Sequence, residues 1–319
     1  MKRFVSLVVL LMLTGAAQAQ NWPDKPVRVI VPFPAGASSD VVGRILLQKV
    51  GTRLGQQFVI ENRAGASGNI GADAIAKAAP DGYTLGIVTG STQSVAPSLN
   101  AKLPYDPIKD FTPVTLIGDS PYVLVVHPGL PAKSVGELIA LAKAKPGSLN
   151  YGSAGLASLA HLASTLFANL AGVDITHVPY KSSSQSVVDM IGGRLEMQFA
   201  TIAPVLSNIT AGQLRPLATT GRKRVAALPE IPTMAEAGVP GYEASLWMAF
   251  VMPAGVPEPI VTRLNAELNA VMKEPETIAA MQAQGFEPDP STPQAVIERT
   301  TSEIVKWKDV ITKANIKVE

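Results

Sequence analysis

The sequence predicts an α/β fold of mostly parallel sheets with helices on both faces. Short runs of β-branched residues alternate with stretches whose apolar residues recur every three or four positions, the β-α-β-α order that parallel sheets require. The 319 residues exceed the roughly 250–300 at which a single core stops growing, so one to two domains are expected. No repeat of 20–50 residues divides them, which excludes a solenoid.

Taken in order, residues 27–33 (VRVIVPF) read as a strand bounded by prolines. Apolar positions 41, 42, 45, 46, 50 and 54 then follow a helical spacing. Strand 58–61, helix 70–79 and strand 83–89 repeat the unit. Residues 122–126 form a strong strand, and helix 135–145 opens with Ser134 and Glu137 in capping-box spacing. Strand 150–151, helix 159–170, strand 175–179 and helix 186–191 continue the alternation. After strand 247–252 the chain reads as two helices, one marked by Val261, Leu264, Leu268 and Val271, the other spanning 296–314.

Composition removes several function classes. Side chains are 47% apolar and 16% charged, which excludes a disordered chain. The 26 glycines and 26 prolines follow no three-residue period, so collagen is excluded too. With no cysteine there are no disulfides, Cys-ligated zinc sites, iron–sulfur clusters or thiol nucleophiles.

Residues 1–19 read as an export signal. Lys2 and Arg3 precede an apolar stretch at 4–13, and Ala17-Gln18-Ala19 supplies small residues for cleavage after Ala19. The apolar run, about ten residues, is too short to span a bilayer of about 30 Å. Loss of Lys2 and Arg3 from 27 basic residues leaves as many bases as the 25 acids, so the mature chain is formally neutral. Its longest basic tract is Arg222-Lys223-Arg224, which argues against nucleic acid as a partner. The expected location is the periplasm.

Enzyme signatures are missing. His127, His161 and His177 are far apart in sequence and fit no metal spacing. Gly152-Ser153-Ala154-Gly155 has the wrong order for a nucleophile elbow, and no Walker A or dinucleotide glycine pattern is present. No catalytic residue, metal or cofactor is therefore assigned.

Two Gly/Ser-rich loops between a strand and a helix remain, 32–40 (PFPAGASSD) and 151–158 (YGSAGLAS). Small residues let a ligand reach the backbone, and the first N–H groups of a helix have no internal partner. With the helix dipole they form an anion site that needs no charged side chain. Such loops also begin many helices that bind nothing.

The mature chain resembles the substrate-binding receptors of tripartite tricarboxylate transporters, the Bug-type receptors. The resemblance is carried by 25–40 (KPVRVIVPFPAGASSD), 61–80 with Asp81-Gly82-Tyr83, 103–113 (LPYDPIKDFTP), 132–155 ending KPGSLNYGSAG, 177–181, 228–241 (LPEIPTMAEAGVPG) and Pro253-Ala254-Gly255. It implies two lobes closing over a ligand like a flytrap, joined by two chain crossings. With hinges near Pro121 and Gly241, lobe one is 20–120 plus 242–319 and lobe two is 121–241. It also implies that Gly36, Ala37, Ser38 and Ser39 share one ligand carboxylate with Ser153, Gly155 and Ser158. Ser91, Thr92, Gln93, Ser182, Ser183 and Thr201 are expected to handle the distal end of the ligand, with Phe33 as a wall.

Two departures from the family pattern stand out. Ala37 replaces a common second glycine, and Ala200 stands where many relatives carry an acid that could meet an ammonium. The function implied is a monomeric receptor for a small carboxylate, a dicarboxylate first, delivering it to two membrane subunits. The alternatives are an exported hydrolase or lyase, which needs a nucleophile–base pair, and an ATP-driven importer's binding protein.

Overall fold

A computed structural model describes residues 22–316 apart from 101 and 181; the expected export signal lies outside the described residues. One curled mixed sheet forms the spine, with order β2-β1-β3-β9-β4-β7-β5-β6. Strands β1 (Val27–Val31), β2 (Phe58–Asn62) and β3 (Thr84–Thr89) are parallel, with β1 between the other two. At the far end β5 (Asn150–Ser153) runs parallel to β6 (Thr176–Pro179) and β7 (Met197–Thr201). The parallel expectation holds for these two ends.

The middle is antiparallel, because its strands belong to the crossings. The 16-residue β4 (Phe111–Val126) pairs with β9 (Ser245–Pro253) as far as the Pro121–Ser245 match. From Tyr122 onward it pairs with β7 and with β8 (Arg215–Thr219). A proline at the change of partners is reasonable, since it offers no N–H to a ladder. Only residues 122–126 stand out as a strand in the sequence, whereas β4 begins at Phe111. Pro113 and two register shifts break the simple alternation there.

Helices cover the sheet. They are α1 (Ser38–Leu54), α2 (Asn69–Ala76), α3 (Val135–Ala144), α4 (Leu159–Ala171), α5 (Ser183–Ile191) and α6 (Ile202–Thr210). The C-terminal part holds α7 (Glu258–Met272), α8 (Pro275–Ala283) and α9 (Pro293–Lys313), with a short β10 (Glu287–Pro288) on β4. Three helices thus stand where two were expected; α8 buries only Thr277 and Met281 and shows little periodicity. The capping box at α3 forms: Ser134 Oγ accepts from Glu137 N–H, while the Glu137 carboxylate accepts from Lys133 N–H.

Separate cores lie under the two ends. Val29, Val31, Leu46, Leu85, Phe250 and Leu268 pack on one side, and Leu124, Tyr151, Phe167, Met197 and Phe199 on the other. Helix α9 serves both: Val296 packs with Trp247 and Phe111, whereas Trp307, Val310 and Ile311 pack with Leu124 and Phe199. The end of α9, within the stretch 242–319 expected in lobe one, is thus buried against the other core.

Candidate functional site

The first loop is a tight turn feeding an uncapped helix. Ala37 N–H donates to Pro34 O at 3.1 Å, and Gly36 sits at φ +83° inside that turn, where only glycine is at ease. Helix α1 starts from Ala37, which has no side chain to cap it. The N–H groups of Ser38 and Ser39 thus face outward at the positive end of a 17-residue helix. Ser39 is buried, yet its hydroxyl has no hydrogen-bond partner. Asp40 braces the turn: its carboxylate accepts from Gly36 N–H at 2.9 Å, from Asn62 at 3.0 Å and from the Arg44 guanidinium. Arg44 above all holds this carboxyl down to about 2, so it stays ionised. Gly36 and Ala37 spend their amides inside the turn, which leaves Ser38 and Ser39 as its outward donors.

The second loop is braced by aromatic rings. Ser153 is fully buried; its Oγ accepts from Gly155 N–H at 3.1 Å and lies 2.7 Å from His177 Nε2. Ser158 caps α4, accepting from His161 N–H at 3.3 Å while its hydroxyl donates to Gly155 O at 2.8 Å. Both hydroxyls, expected at the carboxylate, are thus engaged within the loop. Gly155 is at φ +106° and Ala157 at φ +58°, a conformation costly for alanine, and Leu156 between them is exposed. Two of the three histidines, separated in sequence, meet here. His161 and His177 stack at 4.1 Å between centroids, with Tyr151 5.0 Å from His177.

The remaining expected residues divide. Ser38 and Thr201 line one cavity of about 220 Å³ with Ser120, Leu246, Ala203 and Gly285. This cavity sits beside the Ser120–Leu246 pair of β4 and β9, and the loop at 153–158 is not part of its lining. Ser91 is half-buried, but Thr92 and Gln93 are turned inward. Thr92 donates its hydroxyl to Thr89 O at 3.0 Å, and Gln93 lines a small apolar cavity with Phe111 and Val251. Both lie inward because the chain winds into helix directly after β3. Ser182 is the N-cap of α5, accepting from Gln185 N–H, and Ser183 is already helical, three residues earlier than expected.

Phe33 packs over a loop that the sequence did not single out. A Cβ on Gly68 would come within 3.1 Å of the Phe33 ring and 2.9 Å of the Thr92 methyl. Residues 65–68 all have positive φ, Ala66 and Ser67 included. The signal was available: two glycines flanking small residues in a third strand-to-helix connection.

Residues 42–316 match the family described as tripartite tricarboxylate transporter family receptor. The chain belongs to that family. It is 37% identical to protein BugT of Bordetella pertussis over 324 residues, covering 100% of this chain and 99% of the relative. Among solved structures it is similar to R. palustris Rpa4515 with adipate, at 38% identity and TM-score 0.76, covering 93% of this chain and 99% of the other. MatC from Rhodopseudomonas palustris with bound malate matches at 30% identity and TM-score 0.71, covering 91% and 100%.

Within this receptor family the two departures take on structural meaning. Ala37 has φ −66° and ψ 156°, an ordinary extended conformation, so its Cβ costs nothing there. Ala200 lies 2% exposed among Val123, Met190, Leu195 and Val205. Its side chain faces a core, so position 200 offers no direct contact to a ligand ammonium.

Proposed function

We propose that this chain is a periplasmic receptor, released by cleavage after Ala19, that captures a small organic carboxylate and delivers it to two membrane subunits of a tripartite transporter. Dicarboxylates are the favoured class. The observation that carries this reading is the start of α1: an uncapped helix end, a glycine turn, and a buried Ser39 hydroxyl without a partner. A carboxylate oxygen placed there accepts from amides and hydroxyl together, and charge-assisted bonds of this kind are the strong ones. Two relatives, solved with adipate and with malate, support the ligand class. In this reading lobe one (20–120 plus 242–319) brings 36–39, lobe two (121–241) brings the loop 153–158 and Thr201, and the ligand closes them. Ser91, Ser182 and Ser183 approach its distal end.

The hydrolase reading has one observation on its side, the 2.7 Å approach of Ser153 Oγ to His177 Nε2. That oxygen is fully buried and already accepts from Gly155 N–H, so no ester could reach it. Binding without turnover is the better account.

Calorimetry against adipate, malate, citrate and cationic amines tests the proposal. Carboxylates should bind and be recovered unchanged, and scattering should show compaction on saturation. Tight binding of a polyamine or a neutral sugar, or conversion of a bound acid, would overturn it.

A further inference from the structure

The 153–158 loop holds an uncommon hydrogen bond: Ala157 N–H donates to His161 Nδ1 at 3.0 Å. Nδ1 accepts only when it carries no proton, so the neutral ring must hold its proton on Nε2. The bond falls on the residue at φ +58°, the point where the loop most needs to be held. His161 has little freedom to turn, being buried and stacked on His177 at 13° between ring planes. Resting on the carboxylate-receptor reading above, we propose that His161 is a positioning residue for ligand capture. Its unprotonated Nδ1 fixes Ala157 in the left-handed conformation, and this sets the loop that lobe two brings to the carboxylate.

The surroundings favour the neutral ring. The titratable groups facing it are His177 from β6 and Tyr151 from β5, and among the described residues no carboxylate acts on either imidazole. Burial first, and the His177 charge second, bring His161 down to about 4. Burial raises the Tyr151 phenol to about 12, so it too is neutral. Protonation of His161 would set an N–H donor against the Ala157 N–H and release the loop.

Two substitutions separate positioning from packing. His161→Asn keeps an acceptor near the place of Nδ1 and removes the ring; His161→Phe keeps the ring and removes the acceptor. With adipate as probe at pH 7, His161→Asn should bind within about threefold of wild type and His161→Phe at least tenfold more weakly. Ligand-free amide exchange gives the second readout. Ala157 protection should fall in the Phe variant, persist in the Asn variant, and in wild type be lost as the His161 ring titrates near pH 4. The reverse order, Phe like wild type and Asn impaired, would reduce His161 to packing and overturn the proposal, as would Ala157 exchange that ignores both variants. If wild type binds no carboxylate at pH 7, the receptor reading fails instead, and the positioning claim stands or falls on Ala157 exchange alone.

Discussion

Arg299 Nη2 lies 3.1 Å from Asp119 Oδ1, and through this pair α9 grips the strand that runs between the two halves of the sheet. Arg299 is 4% exposed and is ringed by acceptors. Glu243 Oε1 is 2.9 Å away, Glu303 Oε1 is 3.2 Å from Nε, and Ser245 Oγ accepts from Nη2 at 3.0 Å. Glu303 in turn accepts from the indoles of Trp247 and Trp307 at 2.8 and 3.0 Å. Burial raises the Asp119 carboxyl against the pull of Arg299, while the Lys306 and Arg299 charges overcome the same burial at Glu303 and lower it. Arg299, helped by Lys306 at Glu303 and Arg222 at Glu243, thus compensates acids from β4, from the segment before β9 and from α9, where the chain crosses between halves.

Arg299→Met should therefore be among the most damaging single changes. It leaves Asp119 buried without its counter-charge and Glu303 with Lys306 alone, and breaking a buried pair in this way costs about 3–5 kcal/mol. Urea unfolding at pH 7 should show this loss, and adding Asp119→Asn should recover part of it. A single variant as stable as wild type would show that solvent already screens the network.

Ser39→Ala separates binding from folding. The hydroxyl is buried and unpartnered in the free protein, so its removal should leave stability unchanged or slightly raised. Carboxylate affinity should fall by about 1.5–3 kcal/mol, the scale of one bond to a charged group. Paired calorimetry and melting measurements decide; equal affinity for both proteins would exclude Ser39 from the site.

How far the sequence carried these conclusions varies from one residue to another. The strand-to-helix loop at 32–40 was legible because a β-branched run, a Pro-Ala-Gly turn and a helical period meet there. The role of Asp40 was not, since its partner Asn62 meets it only through the pairing of β1 with β2. The outer parallel strands were legible from their apolar runs, whereas the first half of β4, broken by Pro113 and bulges, lacked a period. The pairing of His161 with His177 depends on α4 packing beside β6, a contact that spacing cannot show. Thr92 and Gln93 looked like cleft residues from their place after a strand; an immediate helical turn carried them inside.

Gly36→Val tests the turn. A Cβ at Gly36 meets nothing within 4 Å, so steric clash is not the issue. The cost lies in φ +83°, which a branched residue tolerates poorly, about 1–3 kcal/mol of stability. If the turn relaxes to avoid this, the Ser38 and Ser39 amides lose their aim and affinity should drop by about 2 kcal/mol. Calorimetry on the folded variant checks this, and unchanged affinity would remove the turn from the site.

Stability should decline in mild acid, and the sign follows from the histidines. His161 titrates near 6.5 when unfolded but near 4 in the fold, so in between the unfolded chain binds more protons. The contribution of the neutral ring is complete above pH 6.5 and is lost as pH falls toward 4, up to about 3 kcal/mol. His177, also lowered by burial, acts in the same direction. Asp40 is separable, because its contribution is present above 3.8 and fades only toward 2. Asp119, raised by burial, works the opposite way, so the raw profile of the wild type mixes several groups. The difference between wild type and His161→Asn isolates the ring. Urea midpoints at pH 7, 5.5 and 4.5 should show wild type losing more stability than the variant over this range. Parallel profiles for the two proteins would mean that His161 is already protonated, or already free, in the folded chain.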